Sequence, residues 1–122
     1  MARILVIEDE AMIRANLCRM LAIEGYAVIE AADGVTGATI AAREKPDLVL
    51  CDVMMPGLDG FEVLRRLRAD PATAGVPFVF VTASADKHDK RFGLDLGADD
   101  YVTKPFDMDH LLQVIARRLA RP

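Results

Sequence analysis

Short apolar segments alternate along the chain with longer segments whose apolar residues recur at helical spacing. The first short segment, Ile4–Ile7, is apolar throughout and rich in β-branched residues, which is typical of a strand buried on both faces. The longer segment Ala11–Ile23 instead places four apolar residues on one helical face: Ile13, Leu17, Met20 and Leu21. Gly25 then supplies a residue type that commonly ends a helix.

This alternation continues along the chain and predicts five strands and five helices. The predicted strands are Ile4–Ile7, Tyr26–Ile29, Leu48–Cys51, Phe78–Val81 and a short strand around Tyr101-Val102. The first three predicted helices are Ala11–Ile23, a stretch from Asp33-Gly34 to near Lys45-Pro46, and one capped by Asp59 with Phe61, Leu64 and Leu67 on its buried face. The last two are roughly Asp86–Leu96 and a helix from near Asp107 that carries Leu111, Leu112, Ile115 and Leu119.

Strict alternation of strands and helices predicts an α/β fold, a single doubly wound five-stranded parallel sheet with right-handed crossovers. Residues 1–122 contain no repeat or linker and are expected to form one domain. In open sheets of this kind, ligands bind outside the carboxyl ends of the strands. The residues that end each predicted strand are therefore the place to look for chemistry.

Charge and composition narrow the function classes. The formal net charge is −4, and nucleic-acid binding draws mainly on Lys and Arg, so direct nucleic-acid binding is not expected. The basic run of Arg117, Arg118 and Arg121 is interpreted as a solvated last helical turn that suits the helix dipole. Cys18 and Cys51 are predicted to be buried and reduced, without the clustering of a zinc site.

The same sequence does not predict a membrane protein. No apolar run approaches the roughly 20 residues that span a bilayer. The N-terminus leads directly into a charged strand rather than into a signal peptide. A cytoplasmic location is therefore expected.

Acidic residues gather at the predicted strand ends. The first strand is followed by Glu8-Asp9-Glu10 and the third by Asp52. If the first and third strands are adjacent, these carboxylates converge. Two carboxylates about 5 Å apart repel by roughly 3 kcal/mol at an effective dielectric near 20, so such a cluster requires a cation or a raised carboxyl pKa. Mg²⁺ suits an all-oxygen site, with Asp9 and Asp52 as candidate direct ligands and Glu8 as a candidate ligand through water.

Two further strand ends supply partners for a phosphoryl group. Thr82 ends the fourth strand, and Lys104 follows the fifth. Together with Mg²⁺, a lysine and a hydroxyl provide the positioning and charge neutralisation that in-line phosphoryl transfer needs. Asp52 would be the nucleophile, since carboxylates can form aspartyl phosphates.

The pattern of motifs resembles the response-regulator receiver domain of two-component signalling, and in particular the chemotaxis regulators, along essentially the whole chain. The matching motifs are Ile7-Glu8-Asp9-Glu10, Asp52-Val53-Met54-Met55-Pro56-Gly57-Leu58-Asp59-Gly60, Val81-Thr82-Ala83 and Gly97-Ala98-Asp99-Asp100-Tyr101-Val102-Thr103-Lys104-Pro105-Phe106. The resemblance implies a flavodoxin-like (βα)5 fold with strand order 2-1-3-4-5.

The resemblance also implies a role for each matching residue. Asp52 would be the phosphoacceptor, Glu8 and Asp9 the acidic pair for Mg²⁺ or Mn²⁺, and the Met54 backbone carbonyl a further metal ligand. Thr82 would be the switch hydroxyl, Lys104 the partner of the phosphoryl group, and Tyr101 the aromatic that turns inward when Thr82 moves. Ala83 would leave room for the donor, and the Lys104-Pro105 bond would be cis.

The implied function is a phosphorelay switch rather than an enzyme acting on external substrates. The phosphoryl donor would be the phosphohistidine of a sensor histidine kinase or phosphotransfer protein. The output surface would be the fourth helix, fifth strand and fifth helix, acting on a downstream protein or an output domain, with phosphorylation-dependent homodimerisation as a further expectation. No output domain is expected within the 122 residues.

Three other functions share parts of this pattern. A flavodoxin-like nucleotide binder would need an anion-binding loop where Glu8-Asp9-Glu10 stands, and no P-loop motif is present. A haloacid-dehalogenase-like phosphatase would need a second aspartate at the position of Met54. A receiver-like module without phosphorylation would be expected to lack some of the pocket residues.

Several polar residues have simpler explanations than a role in the site. Asp33, Asp59, Asp86 and Asp107 precede predicted helices and are expected to be N-caps. Asp99-Asp100 is expected in the turn before the fifth strand. His88 and His110 are expected to face solvent and are assigned no role.

Overall fold

A computed structural model describes residues 1–120 of the chain. The strands are β1 (Arg3–Ile7), β2 (Ala27–Ala31), β3 (Leu48–Cys51), β4 (Phe78–Thr82) and β5 (Asp100–Thr103). The helices are α1 (Ala11–Ile23), α2 (Gly34–Glu44), α3 (Gly60–Ala69), α4 (Lys87–Asp95) and α5 (Met108–Leu119). None of these helices is long and apolar enough to cross a bilayer.

All five strands are parallel, and their order is β2-β1-β3-β4-β5, so the predicted fold class and strand order are confirmed. Period-two alternation divides each strand between two layers. Ile4 and Val6 pack with α1 and α5 on one face, whereas Leu5 and Ile7 pack toward the helices of the other face. Phe78 is fully buried and contributes roughly 1.5–3 kcal/mol through its removal from water.

The predicted N-caps are confirmed for four helices. In each case the aspartate that precedes the helix accepts a hydrogen bond from a backbone N–H of the first turn: Asp33, Asp59, Asp86 and Asp107. These contacts satisfy N–H groups that have no partner within the helix. The starts of α2 to α5 are therefore fixed by local contacts of the loops that precede them.

Some predicted boundaries and burials differ from the structure. Strand β2 begins at Ala27 rather than Tyr26, because the Tyr26 N–H is held by the Leu21 carbonyl after α1. It continues to Ala31, which pairs with Ile7, although exposed Glu30 interrupts the apolar run. Asp100 was expected in a turn but begins β5, where it pairs with Val79.

Four side chains are less buried or more constrained than expected. Met20 lies at the exposed edge of its helix rather than in the core. Cys18 is only partly buried, whereas Cys51 is fully buried as predicted. Arg117 and Arg118 do lie in the last turn of α5, but both donate to an Asp100 carboxylate oxygen at 3.1 Å. The third residue of that basic run, Arg121, lies outside the described residues.

Candidate functional site

The register of the sheet brings the predicted site residues to one edge. Ile7 and Cys51, the last residues of β1 and β3, are directly paired. The backbone N–H of Asp52 continues that ladder by donating to the Ile7 carbonyl at 3.1 Å. Because the two strands end level with each other, the residues that follow them, Glu8 and Asp52, are neighbours.

Three carboxylates form a compact acidic cluster at this edge. Oxygen atoms of Glu8, Asp9 and Asp52 lie within 4.8 Å of one another. Glu8 is 2% exposed and Asp52 is 7% exposed. At this separation and burial, repulsion between the carboxylates is only partly relieved by solvent.

Lys104 lies between two members of the cluster. Its Nζ donates to Glu8 Oε1 at 2.6 Å and to Asp52 Oδ2 at 3.0 Å. Burial opposes the charge on Lys104, but the hydrogen bonds to both carboxylates outweigh it and raise the lysine's pKa. Burial raises the pKa of Glu8, with the charge of Asp52 adding to the effect and the lysine opposing it.

Asp9 differs from the other two members of the cluster in its contacts. Within residues 1–120, its carboxylate makes neither a hydrogen bond nor an ion pair, whereas both Glu8 oxygens accept bonds, from Lys104 and from the Glu10 N–H. Three carboxylates face a single lysine, so the cluster retains negative charge. This all-oxygen donor set fits a hard divalent cation such as Mg²⁺.

The loop after β3 fixes the orientation of Asp52. Its Oδ1 accepts a hydrogen bond from the Met54 N–H at 3.2 Å. Behind it, Gly60 begins α3 against the Asp52 backbone, where a Cβ would clash with the Asp52 carbonyl oxygen, and its N–H donates to the Val53 carbonyl at 2.9 Å. The phosphoacceptor candidate is therefore held from both sides, while the Met54 side chain remains 66% exposed.

Thr82 lies at the same edge, and its predicted role as the switch hydroxyl stays a prediction. It is fully buried, and its Oγ1 accepts the Ser84 N–H at 3.2 Å. No hydrogen bond joins its hydroxyl to Asp52 in the described part of the chain. Its backbone carbonyl accepts the Lys104 N–H at 2.7 Å, which places the two predicted phosphoryl partners on adjacent strands.

The Tyr101 ring is turned into the protein, whereas its predicted movement with Thr82 stays a prediction. The residue is 6% exposed, and its hydroxyl donates to the Ser84 carbonyl at 2.9 Å. Burial raises the pKa of this phenol, while the bond to Ser84 opposes that effect. In this structure Ser84 thus connects the backbone beside Thr82 to the Tyr101 ring.

Ser84 also contacts a residue that sequence reasoning missed. Its hydroxyl donates to Asp89 Oδ2 at 2.7 Å, linking the loop after β4 to the first turn of α4. An acidic residue in a first helical turn has an ordinary explanation in the helix dipole, so Asp89 carried no distinguishing signal. Asp89, Asp59 and Phe61 also line a cleft of about 450 Å³ with the five residues that follow Asp52.

Other expectations concern residues around this edge. The Lys104-Pro105 peptide bond is cis, as the resemblance implied. Ala83 is exposed beside the site. His88 and His110 are exposed, as expected.

Comparison with known proteins agrees with this geometry. The family model of the response regulator receiver domain matches residues 4–116. Protein PilH of Pseudomonas aeruginosa is 42% identical over 120 residues, which cover 98% of this chain and 99% of PilH. The DNA-binding dual master transcriptional regulator RpaA of Synechocystis is 43% identical over 121 residues, which cover 99% of this chain but 50% of RpaA. The chain thus spans nearly all of one relative and half of the other.

A solved structure shares the fold over nearly the whole chain. The receiver domain of the sensor histidine kinase PA1611 from Pseudomonas aeruginosa was determined with a magnesium ion coordinated in its active-site cleft. It is 32% identical, with a TM-score of 0.91 and alignment over 98% of each chain. On the fold, the acidic cluster and the match over residues 4–116, this chain belongs to the response regulator receiver domain family of two-component signalling.

Proposed function

We propose that Asp52 accepts a phosphoryl group from a phosphohistidine and that Mg²⁺ assists the transfer. The observation that carries the proposal is the convergence of Glu8, Asp9 and Asp52 on one point, with Lys104 bonded to two of them. If Asp52 only capped a helix or formed a turn, it would not need two other carboxylates and a lysine beside it. Transfer would form a bond between an Asp52 oxygen and phosphorus and break the bond from phosphorus to the histidine nitrogen.

The contacts of each residue support a separate role in binding the metal ion or the phosphoryl group. Asp9 and Asp52 are the proposed direct metal ligands with the Met54 carbonyl, and Glu8, whose oxygens already accept two hydrogen bonds, acts through water. When bound, Mg²⁺ or Mn²⁺ would neutralise phosphoryl oxygens and the carboxylates around them. Lys104 would exchange a carboxylate partner for a phosphoryl oxygen, because phosphorylation takes Asp52 from about −1 to roughly −2.

The switch would act through Thr82 and Tyr101. Charge-assisted bonds from Thr82 and Lys104 to the phosphoryl group would contribute roughly 1.5–3 kcal/mol each. Shifting a two-state equilibrium from 1:99 to 99:1 takes about 5.5 kcal/mol, which two such bonds approach. Phosphorylation would then favour the inward Tyr101 arrangement over alternatives rather than create it.

The proposed output surface is formed by α4, β5 and α5. Ser84 supports this choice because it joins Tyr101 of β5 to Asp89 of α4. The proposed partners are a sensor histidine kinase or phosphotransfer protein on one side and a downstream protein or output domain on the other. Phosphorylation-dependent homodimerisation and a cytoplasmic location remain predictions from the sequence.

An intact-mass measurement tests the proposal. The protein is incubated with a small-molecule phosphodonor, with and without Mg²⁺, and compared with Asp52→Asn and with Asp95→Asn, which removes an exposed carboxylate of α4. We expect one phosphoryl adduct that requires Mg²⁺, disappears in Asp52→Asn and persists in Asp95→Asn. Absence of an adduct in the unmodified protein under all conditions would reject the proposal.

A further inference from the structure

The N-terminus of α1 is fixed differently from those of the other helices. Among the five helices in residues 1–120, α1 alone has no side-chain hydrogen bond at its N-cap, Glu10. The loop before it carries Glu8 and Asp9, whose carboxylates belong to the acidic cluster. A separate contact is needed to hold this loop against repulsion among its own charges.

Arg14 provides such a contact. Its Nη1 donates to the backbone carbonyl of Glu8 at 2.8 Å, and its Nε donates to Glu30 Oε1 on β2 at 3.2 Å. The Arg14 side chain is 19% exposed and that of Glu30 is 55% exposed. Glu8 is also held through its own backbone N–H, which donates to the Ala31 carbonyl at 3.1 Å. The Glu8 backbone is thus held through both its N–H and its carbonyl.

We propose that Arg14, oriented by Glu30, is a positioning residue for the metal site and sets the affinity of the acidic cluster for Mg²⁺. The inference rests on the proposed function, since it assumes that Glu8, Asp9 and Asp52 bind the ion. The planar guanidinium serves two acceptors at fixed angles, which a lysine ammonium on a flexible stem does not reproduce. Groups that support metal ligands typically change affinity by about 10–100-fold when removed.

The charge of Arg14 and its positioning role predict opposite changes in Mg²⁺ affinity when the residue is removed. The residue is a cation beside a cation-binding site, so by charge alone its removal would strengthen Mg²⁺ binding. If Arg14 acts by holding the Glu8–Asp9 backbone, its removal weakens binding instead. The sign of the change therefore separates the two roles.

The chain offers a matched control at the opposite end of β1. Arg3 also contacts one carbonyl and one carboxylate: its Nη1 donates to the Glu44 carbonyl at 2.7 Å and its Nη2 to Glu44 Oε1 at 2.9 Å. Arg3→Ala thus removes a similar pair of surface contacts without touching the acidic loop. Thermal unfolding of each variant without metal records the structural cost of each change.

Isothermal titration with MgCl₂ is the test, using the unmodified chain, Arg14→Ala, Arg14→Lys and Arg3→Ala. We expect a dissociation constant about tenfold higher for Arg14→Ala, at least threefold higher for Arg14→Lys, and within twofold of the unmodified value for Arg3→Ala. Unchanged or tighter binding in Arg14→Ala, or full affinity in Arg14→Lys, would overturn the inference. Should Arg14→Ala not fold, the charge-preserving Arg14→Lys decides the question.

The unmodified chain and Asp9→Asn separate this inference from the proposed function. Binding in the unmodified chain that is lost in Asp9→Asn supports the metal site itself, whatever the Arg14 variants do. If the protein without substitutions binds no Mg²⁺, both proposals are overturned together. A metal site that is intact and insensitive to Arg14 would overturn the positioning role alone.

Discussion

Asp9 carries the least compensated charge of the acidic cluster. Lys104 bonds Glu8 and Asp52, whereas the Asp9 carboxylate has no protein partner within the described residues. Its charge therefore adds repulsion to the metal-free protein that only a bound cation relieves. Sites assembled for binding are commonly less stable than the fold requires, because like charges are held together.

Replacing Asp9 with Asn should raise the stability of the metal-free protein. Relief of part of the Coulomb repulsion predicts an increase of about 1 kcal/mol in the free energy of unfolding, and Mg²⁺ should no longer add stability. Urea unfolding with and without Mg²⁺ measures both effects. Asp95→Asn, which removes the same charge from an exposed site on α4, should change neither. A metal-free Asp9→Asn protein less stable than the original would contradict the account.

Cys18 allows a test of pH dependence at a single residue. Burial raises the pKa of its thiol to about 11, and the charge of Glu30 adds to the effect. A raised thiol pKa keeps the reactive thiolate scarce at every pH below it. Alkylation of Cys18 should therefore still rise about tenfold per pH unit between pH 8 and 9.5, whereas a cysteine in an unstructured peptide levels off above its pKa of about 8.5.

The measurement is the rate of iodoacetamide modification by mass spectrometry, with Cys18→Ser identifying the site. Cys51 is fully buried, and burial raises its pKa well above the ordinary value, so it should stay unmodified in the native protein. A rate for Cys18 that levels off near pH 8.5 would show that its environment is wrongly described.

At the scale of elements, the start of α3 holds the backbone of Asp52. A Cβ at Gly60 would overlap the Asp52 carbonyl oxygen. Gly60→Ala should therefore lower the free energy of unfolding by about 1–3 kcal/mol, although alanine favours helix. It should also reduce phosphoryl adduct formation because Asp52 must shift.

Gly75→Ala is the matched control for Gly60→Ala. Gly75 has open space around its Cβ position and no left-handed backbone conformation, so its change should stay within about 0.5 kcal/mol. Urea unfolding of the two variants measures the difference. Equal stability of both would mean that α3 does not pack against Asp52 as described.

The elements were largely predictable because two local signals agreed. Helical periodicity and aspartate caps marked where α2 to α5 begin, and continuous apolar runs marked β3 and β4. The errors lie where local sequence and tertiary pairing disagree. Exposed Glu30 hid the end of β2, and Asp100 looked like a turn residue although it pairs with Val79. Both errors fall on the edge strands β2 and β5, each of which pairs with a neighbour on one side only.

The sequence predicted which residues form the site but not which of their side chains contact one another. Parallel strands end at one edge, so Glu8, Asp9 and Asp52 were expected together provided that the first and third strands are neighbours. The bridging position of Lys104 and the link from Ser84 to Asp89 depend on side-chain packing that no sequence pattern encodes. The strand order itself came from the family resemblance.

At the scale of the whole molecule, the proposed output would depend on Tyr101, which is buried in β5. Its ring packs against Phe80 with centroids 5.8 Å apart, and its hydroxyl reaches Ser84. Replacing Thr82 with Ala should leave the phosphoryl adduct detectable but remove its effect on Tyr101. The two tyrosines of the chain, Tyr26 and Tyr101, make this measurable by NMR with labelled tyrosine, using Tyr26→Phe for assignment. A normal Tyr101 response in Thr82→Ala would contradict the coupling.

The central claim is that Asp52 itself carries the phosphoryl group, and chemical trapping tests it most directly. Borohydride reduces an acyl phosphate to an alcohol, so a phosphorylated aspartate becomes homoserine and the modified peptide can be sequenced. After incubation with a phosphodonor, the account predicts homoserine at position 52 alone, formed only when Mg²⁺ is present. Homoserine at another position, or none at position 52 in a protein that has gained phosphate, would contradict it.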